Sequence, residues 1–288
     1  MSTAKTIAVI APSGIPDQEN LAQGVALLQS WGHRVILGRN IYQKWRYTAG
    51  TTPQRAEDLI WALTDPEVDV VWVARGGFGV QHCLPALPVL KATDRSVIAS
   101  SDSTALLNYL YLHGYVNLFH GPMVTSLAND VDEATRTTVQ GLLDDPKASG
   151  VIQCDNALEP VRETLAGPLV GGNIAVLASL AGSEWPLRAQ GAILMLEDVT
   201  EHAFRLDRFL LQLCASGALE GASAIVLGEF VKCYLPADAD YTASELVFDL
   251  LKPLGVPILT GAQFGHGTTN LPWPYGRTVT LSGASINF

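Results

Sequence analysis

Apolar positions in the first half of the chain fall in short runs, separated by stretches with helical spacing. That alternation predicts βα units feeding a parallel sheet. Thr6–Ala11 reads as a buried strand, and the next segment places Leu21, Val25 and Leu28 on one helical face before Gly32 ends it. Arg34–Leu37 reads as a second strand. Thr52-Pro53 then supplies an N-cap and a first-turn proline to a helix carrying Ala56, Leu59, Ile60 and Leu63. Val70–Ala74, Ser96–Ser100 and Asn117–His120 complete a set of five strands. A helix from about Thr104 to His113 and another ending near Leu143 lie among and after them.

Asp144-Asp145-Pro146-Lys147 breaks this rhythm, and the stretch from about 144 to 167 reads as a connection between domains. Beyond it, Gly167–Asn173 reads as a glycine-rich loop. Ile174, Leu177, Ala178 and Ala181 suggest a short helix. Ala192–Leu196 reads as a strand delivering Glu197-Asp198, followed by a helix over Ala203–Ser216. Ala224–Leu227, a helix around Ser244–Leu251, Ile258–Leu259 and a β-rich tail with Thr278–Leu281 follow. The prediction is therefore two α/β domains, 1–150 and 151–288.

Length agrees, since 288 residues at roughly 150 per domain make two. With 48% hydrophobic and 16% charged residues, the chain can bury a large core. Eighteen basic against 28 acidic residues leave a net charge of −10, and no Lys/Arg cluster offsets it. That speaks against a surface for nucleic acid or anionic lipid. Mean hydropathy is positive at +0.21, yet no apolar run approaches the ~20 residues needed to span a bilayer. The opening apolar run is too short for a signal sequence and is broken by Pro12, so a cytoplasmic protein is expected. Four cysteines without a C-x-x-C pair and six histidines without metal-ligand spacing predict neither disulfide nor metal.

In an open parallel sheet, ligands bind beyond the carboxyl ends of the strands, and three segments place suggestive chemistry there. Arg75-Gly76-Gly77-Phe78-Gly79 follows a buried strand; its glycines either only permit a turn or expose N–H groups to an anion. Ser100-Ser101-Asp102-Ser103-Thr104 sits at a strand-to-helix junction, where its hydroxyls either cap the helix or present a nucleophile. Glu197-Asp198 emerges from a strand, to cap the next helix or to orient a base. His266 lies between two glycines, outside any amphipathic stripe. Serine, acid and histidine in this chain order are compatible with a nucleophile–base–orienter triad.

At these residues the sequence resembles the LD-carboxypeptidases, a serine-peptidase family that also includes microcin C self-immunity peptidases. Ala11-Pro12-Ser13, Arg75–Gly79, Ser101-Asp102-x-Thr104, Gly171-Gly172-Asn173, Leu196-Glu197-Asp198, Leu206-Asp207-Arg208 and Gly265-His266-Gly267 occur in the family's order along essentially the whole chain. The resemblance implies Ser101, Glu197 and His266 as the triad, with the N–H groups of Gly77 and Asp102 as the oxyanion hole. It implies a flavodoxin- or Rossmann-like N-terminal sandwich, a smaller β-rich α/β C-terminal domain, and a site drawing on both. It further implies a homodimer without metal or organic cofactor, releasing D-alanine from murein tetrapeptide in peptidoglycan recycling. Arg75, Gly76 and Asn173 are the candidate substrate contacts, Arg75 because a guanidinium matches a terminal carboxylate. The chain departs from the family at Ala99-Ser100, where glycine and a bulky residue are common, and at Phe78, where tyrosine is. The rival readings are a peptidase cleaving a peptidyl- or aminoacyl-nucleotide amide, and a non-enzymatic binding protein for a small molecule.

Overall fold

The computed structural model describes residues 4–88, 92–157, 161 and 163–288. The chain divides into two compact units, Met1–Ala148 and Ser149–Phe288.

The first unit is built on β1 (Thr6–Ile10), β2 (Arg34–Leu37), β3 (Val70–Val73), β4 (Ser96–Ala99) and β5 (Leu118–His120). All four pairings among them are parallel, in the order β2-β1-β3-β4-β5. This is the flavodoxin-like order, with its switch point between β1 and β3. The central strands are apolar throughout because helices cover both faces of such a sheet, and β3 is buried at every position. The helices are α1 (Gln18–Ser30), α2 (Thr52–Thr64), α3 (Thr104–Leu112) and α4 (Glu133–Asp144). Asp17 caps α1 by accepting from Asn20 N–H at 2.9 Å. The α2 cap falls on Thr51 rather than the expected Thr52, because the Gln54 side chain reaches back to the Thr51 N–H at 2.9 Å.

The second unit is an eight-stranded mixed sheet. Its strands are β6 (Val151–Gln153), β7 (Asn156–Ala157), β8 (Leu165–Asn173), β9 (Ile193–Val199), β10 (Ala224–Val231), β11 (Ile258–Thr260), β13 (Thr278–Ser282) and β14 (Ser285–Asn287); a further short strand, β12, spans Trp273–Tyr275. β8, β9, β10 and β11 run parallel. β13, β14 and β6 extend that sheet antiparallel beyond β8, and β7 closes the other edge. Helices α5 (Ile174–Leu180), α6 (Ala203–Ala215) and α7 (Ala243–Leu251) connect the parallel strands.

Two expectations are corrected here. Gly167–Asn173 is strand, not loop: a Cβ at Gly167 would lie 2.1 Å from the Gly191 carbonyl oxygen, and one at Gly171 2.0 Å from that of Met195. These glycines admit a neighbouring backbone rather than a turn. The expected connection over 144–167 contains β6, β7 and the start of β8, short strands whose pairing partners lie far away in sequence; its residues 158–160 and 162 lie outside the described residues. No helix among the described residues is long and apolar enough to cross a membrane.

Candidate functional site

In the first unit the relevant atoms gather beyond the carboxyl ends of β1, β3 and β4. β4 delivers Ser100 in an extended conformation, and the chain then turns sharply into a single 3-10 turn over Ser101–Ser103 before α3. Ser101 has φ of 54°, the left-handed region that a side chain enters only at a cost of about 1–3 kcal/mol. A strained strand–turn–helix serine is the geometry of a nucleophile elbow. Ser100 is buried at 4% exposure, whereas Ser101 keeps partial access to solvent. Neither Ser100 nor Ser103, the residues that flank the 3-10 turn and α3 at their starts, places its side chain in a cap.

The glycine loop packs directly on the elbow. A Cβ at Gly76 would stand 2.7 Å from Ser101 Oγ and 2.8 Å from Ser101 Cβ, so only glycine fits there. Gly77 and Gly79 have φ of 108° and 137°, and the Gly76 carbonyl accepts from Gly14 N–H at 2.8 Å. The Asp102 carboxylate turns inward, accepting from the Ser13 hydroxyl at 2.6 Å and from Val80 N–H at 3.0 Å. Burial raises its pKa above the usual carboxylate range; these bonds and the nearby Arg55 charge oppose the rise. Arg75 is exposed and donates to the Ile15 carbonyl at 2.6 Å, which holds one face of its guanidinium on the backbone.

In the second unit β9 runs past Leu196 to Val199, so Glu197 and Asp198 lie within the strand; pairing with Asn173 of β8 and Phe230 of β10 carries it on. Adjacent strand residues face opposite ways, which gives the two acids different partners. Glu197 is fully buried, and its Oε2 meets His266 Nδ1 at 2.7 Å. That bond leaves Nε2 as the other ring nitrogen available for chemistry. Asp198 instead accepts from Asn173 Nδ2 at 2.9 Å, Ala175 N–H at 3.0 Å and Val199 N–H at 2.8 Å. Thus Asp198 does bind a helix start, but that of the preceding α5 and not of α6, whose flanking His202 makes no side-chain cap. Asn173 caps the same helix, accepting from Val176 N–H at 3.1 Å, so both ends of its amide are bonded within the second unit.

Electrostatics separate these acids further. Burial, and then the Glu197 charge, push Asp198 up to about 7. Burial alone would lower the His266 pKa, but Glu197, through charge and hydrogen bond, with Asp198 and Glu229 behind it, raises the balance above 6.5. Glu229, on β10, has its own pKa raised chiefly by burial while Gly267 N–H bonds to it. A Cβ at Gly265 would come within 3.1 Å of Glu197 Oε2, so the turn carrying His266 closes tightly on the acid.

Sequence reading assigned no part to Ser13 side-chain bonding, to Arg55 or to Glu229. Arg55 carried a signal, since it lies on the apolar face of α2 with Leu59, Ala62 and Leu63. Among the described residues, no group of three or more His, Cys, Asp or Glu has the arrangement to hold a metal. Burial raises the thiols of Cys83, Cys154 and Cys233 to about 11, leaving them protonated and poor nucleophiles near neutrality.

Comparison with known proteins adds a consistent set of likenesses. Residues 7–121 match the model of the LD-carboxypeptidase N-terminal domain, and residues 166–281 that of the LD-carboxypeptidase C-terminal domain. The murein tetrapeptide carboxypeptidase of Pseudomonas aeruginosa is 34% identical, over 98% of this chain and 94% of its own. The crystal structure of muramoyltetrapeptide carboxypeptidase from Oxalobacter formigenes superposes with a TM-score of 0.84 at 30% identity, covering 97% of each chain. The structure of MccF in complex with glutamyl sulfamoyl guanosine shares the fold, with a TM-score of 0.87 at 21% identity over 100% of this chain and 96% of that one.

Proposed function

The chain belongs to the LD-carboxypeptidase family, and from that premise we propose that it is a serine carboxypeptidase releasing the terminal D-alanine of murein tetrapeptide. The observation that carries the reading is the 2.7 Å contact between buried Glu197 and His266 Nδ1. An imidazole held this way has its tautomer fixed, with Nε2 free to take a proton. His266 removes the Ser101 hydroxyl proton as Ser101 Oγ attacks the carbonyl before D-alanine. The resulting oxyanion is received by the N–H groups of Gly77 and Asp102, each such donor being worth roughly 3–4 kcal/mol in serine proteases. The carbon–nitrogen bond breaks, His266 returns its proton to the departing amine, and D-alanine leaves. Water, activated by the same histidine, then hydrolyses the acyl ester and restores Ser101.

The strained φ of Ser101 supports its role, because a nucleophile elbow holds its serine in such a conformation at a sharp strand-to-helix turn. The reaction so written needs no cofactor. In this reading the enzyme works in the cytoplasm as a homodimer, on peptides returned from the cell wall. Arg75 remains the candidate for the substrate's free carboxylate. The test is D-alanine release from murein tetrapeptide by the purified protein and its Ser101→Ala variant. Loss of turnover in the variant and insensitivity to chelator are expected; unchanged turnover in Ser101→Ala overturns the serine mechanism. Fold likeness to MccF makes an aminoacyl-sulfamoyl nucleotide the informative second substrate, and preference for it would transfer the same chemistry to a nucleotide amide.

A further inference from the structure

The glycine loop is made of residues with little conformational preference of their own, yet an oxyanion donor must stand within about 2.7–3.1 Å of its target. Two buried charges on the first unit bear on this. Arg55, in the first turn of α2, is 1% exposed and makes no ion pair among the described residues. It spends its guanidinium mostly on backbone instead: Nη1 donates to Pro12 O at 2.5 Å and to Gly79 O at 2.6 Å, and Nε to Gly50 O at 3.2 Å, while Nη2 donates to the Thr52 hydroxyl at 3.2 Å. Asp102 is 3% exposed, and its Oδ2 accepts from Val80 N–H and from the Ser13 hydroxyl.

The carbonyl of Gly79 and the N–H of Val80 belong to one peptide group. A cation therefore holds its oxygen while an anion holds its hydrogen, each aligned with the peptide dipole. The same two side chains also take the neighbouring Pro12 carbonyl and Ser13 hydroxyl, so the loops after β1 and β3 are tied together and to the elbow. Burying two charges on neutral partners, without a salt bridge between them, is costly, and neither charge serves a helix cap.

We propose that Arg55 and the Asp102 side chain are positioning residues that clamp the Gly79–Val80 peptide, and thereby set the Gly77 and Asp102 N–H groups for the developing oxyanion. The inference rests on the serine reading above. Lys would not substitute for Arg, since Nη1 takes the Pro12 and Gly79 carbonyls while Nε and Nη2 hold Gly50 O and the Thr52 hydroxyl, a spread of donors that a single ammonium nitrogen lacks. Asp102 thus works twice, by its N–H in the reaction and by its carboxylate in holding the loop.

The test measures D-alanine release by Asp102→Asn, Arg55→Lys and Ser13→Ala beside the unmodified protein and Ser101→Ala. In Asp102→Asn and Arg55→Lys, kcat is expected to fall about 10- to 100-fold with KM within about twofold. Affinity for a peptide boronic acid, which forms a tetrahedral adduct, should fall in step with kcat/KM. Ser13→Ala, which removes one bond and leaves both charges, should show a smaller fall in kcat and decides the matter if the charge variants do not fold. Full kcat in the folded variants, or a loss confined to KM or to thermal stability, overturns the clamp while an inactive Ser101→Ala leaves the serine reading standing. Full turnover in Ser101→Ala overturns both.

Discussion

The two units hold their candidate reactive groups by different physics. In the first, the hydroxyl of Ser101 is placed by backbone: a left-handed residue between β4 and α3, pressed against a glycine that no other residue can replace. In the second, His266 sits in a turn with little regular structure and is fixed by a side chain, the fully buried Glu197 on β9. A serine hydroxyl has no charge to steer by, so its direction must come from the chain itself. An imidazole has two nitrogens and a titratable proton, so a buried carboxylate can set both its tautomer and its pKa. Errors in the first region should therefore alter geometry without moving pH dependence. Errors in the second should alter both.

That contrast is open to attack in order of effect. Ser101→Ala should reduce turnover by about 10⁴- to 10⁶-fold, as removal of a triad nucleophile does, and the loss is read directly from D-alanine release. Glu197→Gln keeps the shape but not the charge; a fall of about 10²- to 10⁴-fold in kcat is expected, as for the equivalent change in a serine-protease triad. Gly76→Ala drives a methyl group against Ser101 Oγ and should cost about 10²-fold in kcat, the penalty of displacing a reacting atom by about 1 Å.

The smallest effect is the most discriminating. Because the His266 pKa is raised above 6.5, protonated imidazole persists to higher pH and cannot act as a base there. The acidic limb of kcat/KM should accordingly have its midpoint above 6.5, with activity falling as pH drops through it. Glu197→Gln removes the largest influence holding that value up, so the limb in the residual activity should move to lower pH. Gly76→Ala should leave it in place. A limb that moves in Gly76→Ala, or stays in Glu197→Gln, would break the distinction between the two regions.

Much of the fold was legible because local pattern and final environment coincide. Val70–Ala74 and Ser96–Ser100 are apolar runs that become buried parallel strands, and the helix over Ala203–Ser216 ends one residue earlier, at Ala215. Glycine is an ambiguous signal in the chain, marking a turn in one place and a close backbone approach in another. Gly167 and Gly171 lie in β8 because a neighbouring backbone fills the space a Cβ would need. β6 and β7 were invisible for a related reason: each is two or three residues long and is strand only through partners such as β14 and β11.

The candidate residues followed the same division. Order and spacing of Ser101-Asp102, Glu197-Asp198 and Gly265-His266-Gly267 sufficed to nominate them, because such motifs are local in the chain. Which acid meets the histidine depended on strand alternation carried through a register with β8 and β10, joining residues 69 apart. Asn173 proved to be a helix cap, and Arg55 a buried cation, for reasons that lie in contacts across loops and not in either residue's neighbours. The sequence by itself determined the alternating elements, the elbow's position and the family. Only tertiary structure decided the φ of Ser101, the partner of Glu197 and the charges around the Gly79–Val80 peptide. Those features are set by the energy of packing distant segments together, which no local propensity encodes.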